Sequence, residues 1–192
     1  MEPLAATAPA LPVSAQVDLV RRAAGGDHVA FERLLTTRAD QAFRIARAIL
    51  GNDSDASDAT QEAFVSAWRG LPRLRDLENF DAWLRRILVN ACRAQLRGRR
   101  RVHEISLDET FDRGDHRPQL SDQVSDTDML ARAFARLDAD KRSILVLHHL
   151  EHEPLASIAG TLGIPVGTAK SRLSDARAAL QRALIAEGEA VR

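Results

Sequence analysis

Between Ala82 and Val102 the chain carries seven arginines and no acid. Phe80, Trp83, Leu84, Ile87 and Ala91, at its start and through it, recur with a period of about 3.6 residues. These two patterns together require an amphipathic helix, with one side for a core and the other made of arginine. Seven arginines at that density exceed what solubility needs. Such a face neutralises several phosphates, so it points to DNA bound in a salt-dependent way.

The formal net charge is zero, which argues against a nucleic-acid binder until the charge is mapped along the chain. Asp53–Asp81 holds seven acids against three arginines, and Val102–Asp140 holds ten against four. Val166–Ala186 is basic again, with Lys170, Arg172, Arg177 and Arg182 against Asp175 alone. Two basic helices therefore alternate with two acidic stretches.

Composition narrows the fold class. Of 192 residues 45% are hydrophobic, enough for a buried core, while aromatics are 4% and tyrosine is absent. Ala, Leu and Arg dominate and β-branched runs are scarce, so the expected class is all-α. No run of about 18 apolar residues is present to span a bilayer. The Ala/Pro-rich start lacks a basic residue before an apolar segment and is read as a disordered tail over 1–13, not a secretion signal. The single cysteine, Cys92, excludes an internal disulfide and fits a reducing cytoplasm.

Turn and cap signals divide the chain into two small helical domains, 14–101 and 126–188, joined by a flexible acidic linker over 102–125. In the first domain, a short helix from Ser14 stops at Gly25-Gly26. One helix runs from Asp27 to Leu50, a third from about Asp55 to Arg69, and a fourth from Phe80 to about Arg101, after a cap at Asn79. The second domain holds helices at Met129–Leu137, Asp138–His149, Pro154–Leu162 and Val166–Ala186.

Leu155–Leu173 has the layout of a helix-turn-helix. Ala159 precedes Gly163 by four residues, Pro165 opens a new helix, and Ala169, Leu173, Ala176 and Leu180 form its buried stripe. Thr168, Lys170, Ser171, Ser174 and Asp175 are left outward, flanked by Arg172 and Arg177. These side chains suit major-groove reading; the alternative is an ordinary hairpin with a solvated face. On the earlier arginine helix, Asn90 can hydrogen-bond a base edge, whereas Phe80 and Trp83 are read as core rather than as stacking platforms. Asp58, Gln61 and Glu62 share an exposed side that DNA would repel, so it should face a protein. His148 and His152 are spaced like a metal pair, but no third and fourth ligand follows, so they are read as a polar helix end. No nucleophile triad, P-loop or phosphate loop is found, and no enzyme, cofactor or small-molecule substrate is expected.

The run Asp55-Ala-Ser-Asp-Ala-Thr-Gln-Glu-Ala-Phe-Val-Ser-Ala-Trp68 resembles the polymerase-binding segment of bacterial sigma factors. Phe80–Arg101 is similar to their −10 helix, and Gly163-Ile-Pro-Val-Gly-Thr-Ala-Lys-Ser-Arg-Leu173 to their −35 recognition helix. The similarity covers roughly Val17–Ala186. Two domains without others resemble the extracytoplasmic-function group. That resemblance implies a sigma domain two and a sigma domain four, and a chain that loads core RNA polymerase onto promoter DNA. Asp58, Gln61 and Glu62 would then meet the clamp helices of the polymerase. Asn90, Arg93, Arg97, Arg99 and Arg100 would meet the −10 element, helped by the loop Leu71–Asn79, and Thr168, Lys170, Ser171, Arg172, Ser174, Asp175 and Arg177 the −35 element. An anti-sigma factor, often membrane-anchored in this family, would be a further partner. Ala94 stands where many members carry Asp, Ala169 where Val is usual, and Asp175 where a basic residue is common. A stand-alone helix-turn-helix regulator leaves the acidic helix and the arginine helix unexplained, and a mimic that sequesters regulators need not keep a DNA-reading face.

Overall fold

The computed structural model describes residues 13–106 and 126–190, and every regular element among them is a helix. They are α1 (Val13–Ala24), α2 (His28–Thr36), α3 (Ala39–Leu50), α4 (Asp53–Gly70), α5 (Phe80–Ser106), α6 (Asp126–Ala135), α7 (Ala139–Leu145), α8 (Leu155–Leu162) and α9 (Val166–Ala190). A 3-10 turn at Leu71–Arg73 follows α4, and a π-turn at Val146–Leu150 extends α7. Residues 1–12 and 107–125, which contain most of the expected tail and linker, lie outside the described residues. None of the described helices is long and apolar enough to cross a membrane.

Local chemistry sets most helix ends. Asp27, Asn52 and Asp138 each accept a hydrogen bond from the backbone N–H three residues on, at 3.0, 2.9 and 2.8 Å. Gly51 (φ 90°) ends α3 and Gly163 (φ 67°) ends α8, both in the left-handed region open to glycine. Several boundaries differ from the sequence reading (α9 runs past Ala186 to Ala190, and the helix expected over Asp138–His149 changes to a π-turn after Leu145), and two of them bear on how α5 is held. The helix expected from Asp27 to Leu50 is broken at Thr37–Arg38. There the Thr36 and Thr37 hydroxyls donate back to the carbonyls of Glu32 and Leu34, at 2.9 Å each, competing with the helical ladder. Arg38 turns away to pair with Asp81 and to lie 5.5 Å from the Phe80 ring centre. At the other boundary, α5 continues past Arg101 to Ser106.

α4 packs through alanine. Ala56, Ala59, Ala63 and Ala67 are at most 1% exposed and form one stripe. Small side chains let α3 and α5 approach closely on that face, where larger ones would hold them apart. One core cluster joins α1, α2, the end of α4 and the start of α5 through Val20, Phe31, Leu34, Leu71, Phe80 and Leu84. A second runs through both halves: Ile45, Ile49, Val89 and Cys92 share it with Ile144, Leu147, Ile158 and Leu173. Cys92 is fully buried, and burial pushes its thiol pKa up to about 12.

The two sigma-like halves are therefore packed against each other, an arrangement the sequence leaves open. Arg142, 8% exposed, reaches across the boundary. Its Nη1 donates to the Ile49 carbonyl at the end of α3 (3.2 Å) and its Nε to that of Leu137 (3.1 Å), while Nη2 donates to that of Ala135, the last residue of α6. Carbonyls at helix C-termini carry partial negative charge, which suits a buried guanidinium. The alanine stripe gives a direct test of the packing. Ala63→Leu should lower stability by about 1–3 kcal/mol through overpacking, read as a reduced urea midpoint with circular dichroism confirming a helical fold.

Candidate nucleic-acid interface

Part of the arginine side of α5 faces the second half, where two of its cations are met by carboxylates. Arg85 lies 2.6 Å from Glu153, with both side chains only 15% exposed. Arg93 donates from Nε to Asp140 at 2.7 Å, and its Nη2 lies 2.6 Å from the same oxygen. Arg86 covers Gly163, where a methyl group would come within 3.4 Å of Nη2. Arg99 turns instead to Asp55 of α4, which also accepts from the Asn52 amide at 2.8 Å. Asn90 and Arg97 are exposed, and the Arg100 side chain lies outside the described residues. Phe80 is fully buried and Trp83 half-buried beside it, at 5.9 Å between ring centres, so Phe80 serves the core and no base reaches it in this packing.

On α9, Ala169, Leu173 and Ala176 are buried as one stripe, with Leu180 partly covered against it. Lys170, Ser171, Ser174, Asp175 and Arg177 are exposed, and Thr168 and Arg172 half-buried. Ser171 Oγ donates to the Thr168 carbonyl at 3.1 Å, a bond along the helix that leaves its lone pairs outward. Arg177 Nε donates to His149 Nε2 at 3.3 Å, which requires that nitrogen to be unprotonated. Burial, then the charges of His148, Arg177 and His152, hold the His149 pKa below its usual value, in keeping with that bond.

Asp58, Gln61 and Glu62 are exposed on α4, opposite the alanine stripe. They alternate with the buried Ala59, Thr60 and Ala63, while Asp55, one turn before Asp58, meets α5 through Arg99.

Sequence reasoning missed Glu153 and Asp140, the acids that meet α5. Nothing in local spacing pairs Asp140 with Arg93, which lie 47 residues apart in the chain. The acidic excess of Val102–Asp140 was the available signal for Asp140, but a residue in the first turn of an expected helix reads as a solvated acid. Two clefts accompany this packing. A groove of about 1140 Å³ is lined by Leu96, Leu130, Phe134, Leu145, Leu180 and Leu184, with Arg47, Arg99 and Arg177 among its polar residues. A smaller cleft of about 440 Å³ brings Arg93 and Arg97 to Asp140, Arg172 and Asp175.

Comparison with known proteins agrees with this division. The model of sigma-70 region 2 matches residues 34–102, and that of sigma-70 region 4 matches residues 127–180. The chain is 33% identical over 167 residues to the ECF RNA polymerase sigma factor SigM of Mycobacterium tuberculosis, spanning 87% of this chain and 83% of that one. It is 32% identical over 179 residues to the RNA polymerase sigma-H factor of Pseudomonas aeruginosa, spanning 86% and 92%. Among solved structures it is similar to CnrH in complex with the cytosolic domain of CnrY, at a TM-score of 0.64 and 28% identity over 90% of this chain and 98% of that one. It is also similar to the sigma factor RpoE of Bartonella quintana in complex with the anti-sigma factor NepR. There the TM-score is 0.61 and the identity 27%, over 80% of this chain and 96% of that one.

The Arg85–Glu153 pair carries a test of the packing between the halves. Arg85→Ala leaves a largely covered carboxylate without its cation and should cost about 1–3 kcal/mol of stability. The double variant Arg85→Ala with Glu153→Ala should recover part of that loss in urea denaturation.

Proposed function

The chain belongs to the extracytoplasmic-function group of RNA polymerase sigma factors, which direct core polymerase to promoters, and we propose that it divides this work among three surfaces. Asp58, Gln61 and Glu62 on α4 dock on core polymerase. Asn90, Arg93, Arg97, Arg99 and Arg100 on α5 meet the −10 element, Asn90 reading a base and the arginines neutralising phosphates. Thr168, Lys170, Ser171, Arg172, Ser174, Asp175 and Arg177 on α9 meet the −35 element, with the N-terminal end of the helix toward base edges. Residues 14–101 and 126–188 act as the two domains, and 102–125 as their tether. The protein catalyses no reaction of its own and works in the cytoplasm, where promoter DNA is found.

The observation that carries this reading is charge sorted onto separate folded surfaces. Asp58 and Glu62 are exposed on α4, while the basic residues are gathered on α5 and α9, so the first surface suits a protein partner and the others a polyanion. The closed packing adds a requirement. Arg85 and Arg93 are engaged by the second half, so the halves separate before α5 meets DNA. An anti-sigma factor holds the chain inactive, a role supported by the similar RpoE of Bartonella quintana, solved with the anti-sigma factor NepR. An amphipathic helix from that partner fits the leucine- and phenylalanine-lined groove between the halves.

Asp58→Arg combined with Glu62→Arg should abolish pull-down of core polymerase while circular dichroism stays unchanged; undiminished pull-down removes the docking assignment. Asp175→Ala tests the −35 surface. Removing an acid that faces phosphates should tighten holoenzyme binding to every promoter in a panel altered singly across the −35 element. A loss of about 1–3 kcal/mol at one base pair would instead mark Asp175 as accepting from a cytosine amino group.

A further inference from the structure

Asp140 stands in the first turn of α7, two residues after the Asp138 cap. Its Oδ1 lies 2.7 Å from Arg93 Nε and 2.6 Å from Arg93 Nη2, so one edge of the guanidinium converges on one oxygen. Its Oδ2 faces Arg172 Nη1 at 3.7 Å. One carboxylate thus addresses an arginine of α5 with one oxygen and an arginine of α9 with the other. These helices belong to different halves of the chain, and Arg97, Lys141 and Asp175 line the same cleft.

We propose that Asp140 is an internal surrogate for a DNA backbone phosphate, closing the free chain by occupying one promoter-facing arginine from each half. The inference rests on the reading of Arg93 and Arg172 as promoter contacts. Carboxylate and phosphate offer guanidinium the same recognition, anionic oxygens that accept from its N–H edge. Because Asp140 is part of the same chain, it competes at a high effective concentration without having to bind. It is also placed to let go. Its side chain is 45% exposed, as is the 43% exposed Arg172, and partly solvated pairs are individually weak and sensitive to salt. A carboxylate buried with both arginines would lock the halves, whereas this one yields to a polyanion that brings many phosphates at once. Arg142 and the Arg85–Glu153 pair hold the halves through separate contacts, so removing the Asp140 charge loosens the closed form without abolishing it.

The test uses the full chain carrying a fluorescent donor on one half and an acceptor on the other. Asp140→Asn keeps the size of the side chain and removes its charge. Energy transfer should fall, and the affinity of the free protein for promoter duplex at low salt should rise roughly threefold to tenfold, the range set by one or two partly exposed ion pairs. The difference from wild type should shrink as salt is raised. Asp128→Asn, which removes an exposed acid of α6 outside the cleft, is the control for net charge and should change neither signal. Unchanged transfer and affinity in Asp140→Asn overturn the proposal, as does an equal gain in Asp128→Asn. Reduced transfer with unchanged affinity overturns the surrogate role. If Arg93→Ala and Arg172→Ala then also leave holoenzyme binding to promoter DNA unchanged, the fault lies in the promoter reading of those arginines.

Discussion

A helix with seven arginines cannot leave its charge unanswered, and the rest of this structure is arranged around how α5 answers it. Its apolar side is buried against both halves: Leu84 packs with the first, Leu88, Val89 and Cys92 join the core shared with the second, and the alanine stripe of α4 lets that helix come close. With no nucleic acid at hand, the second half supplies the anions, Glu153 from the turn after α7 and Asp140 from its first turn, while Asp55 of α4 takes Arg99. The result is a core shared by the halves instead of two separate ones. Hydrophobic burial and charge neutralisation act on the same interface, so anything that offers the arginines better anions works against the packing as well.

Much of this was legible in the sequence because it depends on local rules. Asp27 caps α2 through a bond to the backbone three positions away, as its place before the apolar repeat suggests. The period of Ala169, Leu173 and Ala176 identified the buried side of α9. The exposure of Asp58, Gln61 and Glu62 likewise followed from the alanines spaced between them. The break between α2 and α3 was missed because apolar periodicity continues across it. What ends α2 is a pair of threonine hydroxyls competing for carbonyls, together with an arginine drawn to Asp81, which is distant in sequence.

The packing of the halves was not legible for a related reason. Asp140 and Glu153 look like ordinary solvated acids, one in the first turn of a helix and one just before Pro154. Their partners are 47 and 68 residues away, and no period or motif connects them. The same holds for Arg142, which resembles an exposed helix arginine in sequence but is buried against three backbone carbonyls.

That arginine has a consequence for how the protein can change over generations. The three carbonyls it binds are main-chain oxygens, which every amino acid supplies, so no replacement of the Ala135, Leu137 or Ile49 side chains deletes one of these acceptors. For these three bonds the side chain that matters is that of residue 142, and the positions whose carbonyls it binds are free to drift in identity so long as the backbone keeps its course. The carboxylate links are the opposite, each lost by one substitution at either end. Lineages that diverge in how readily the halves part would therefore be expected to differ at the charged pairs while retaining the buried arginine.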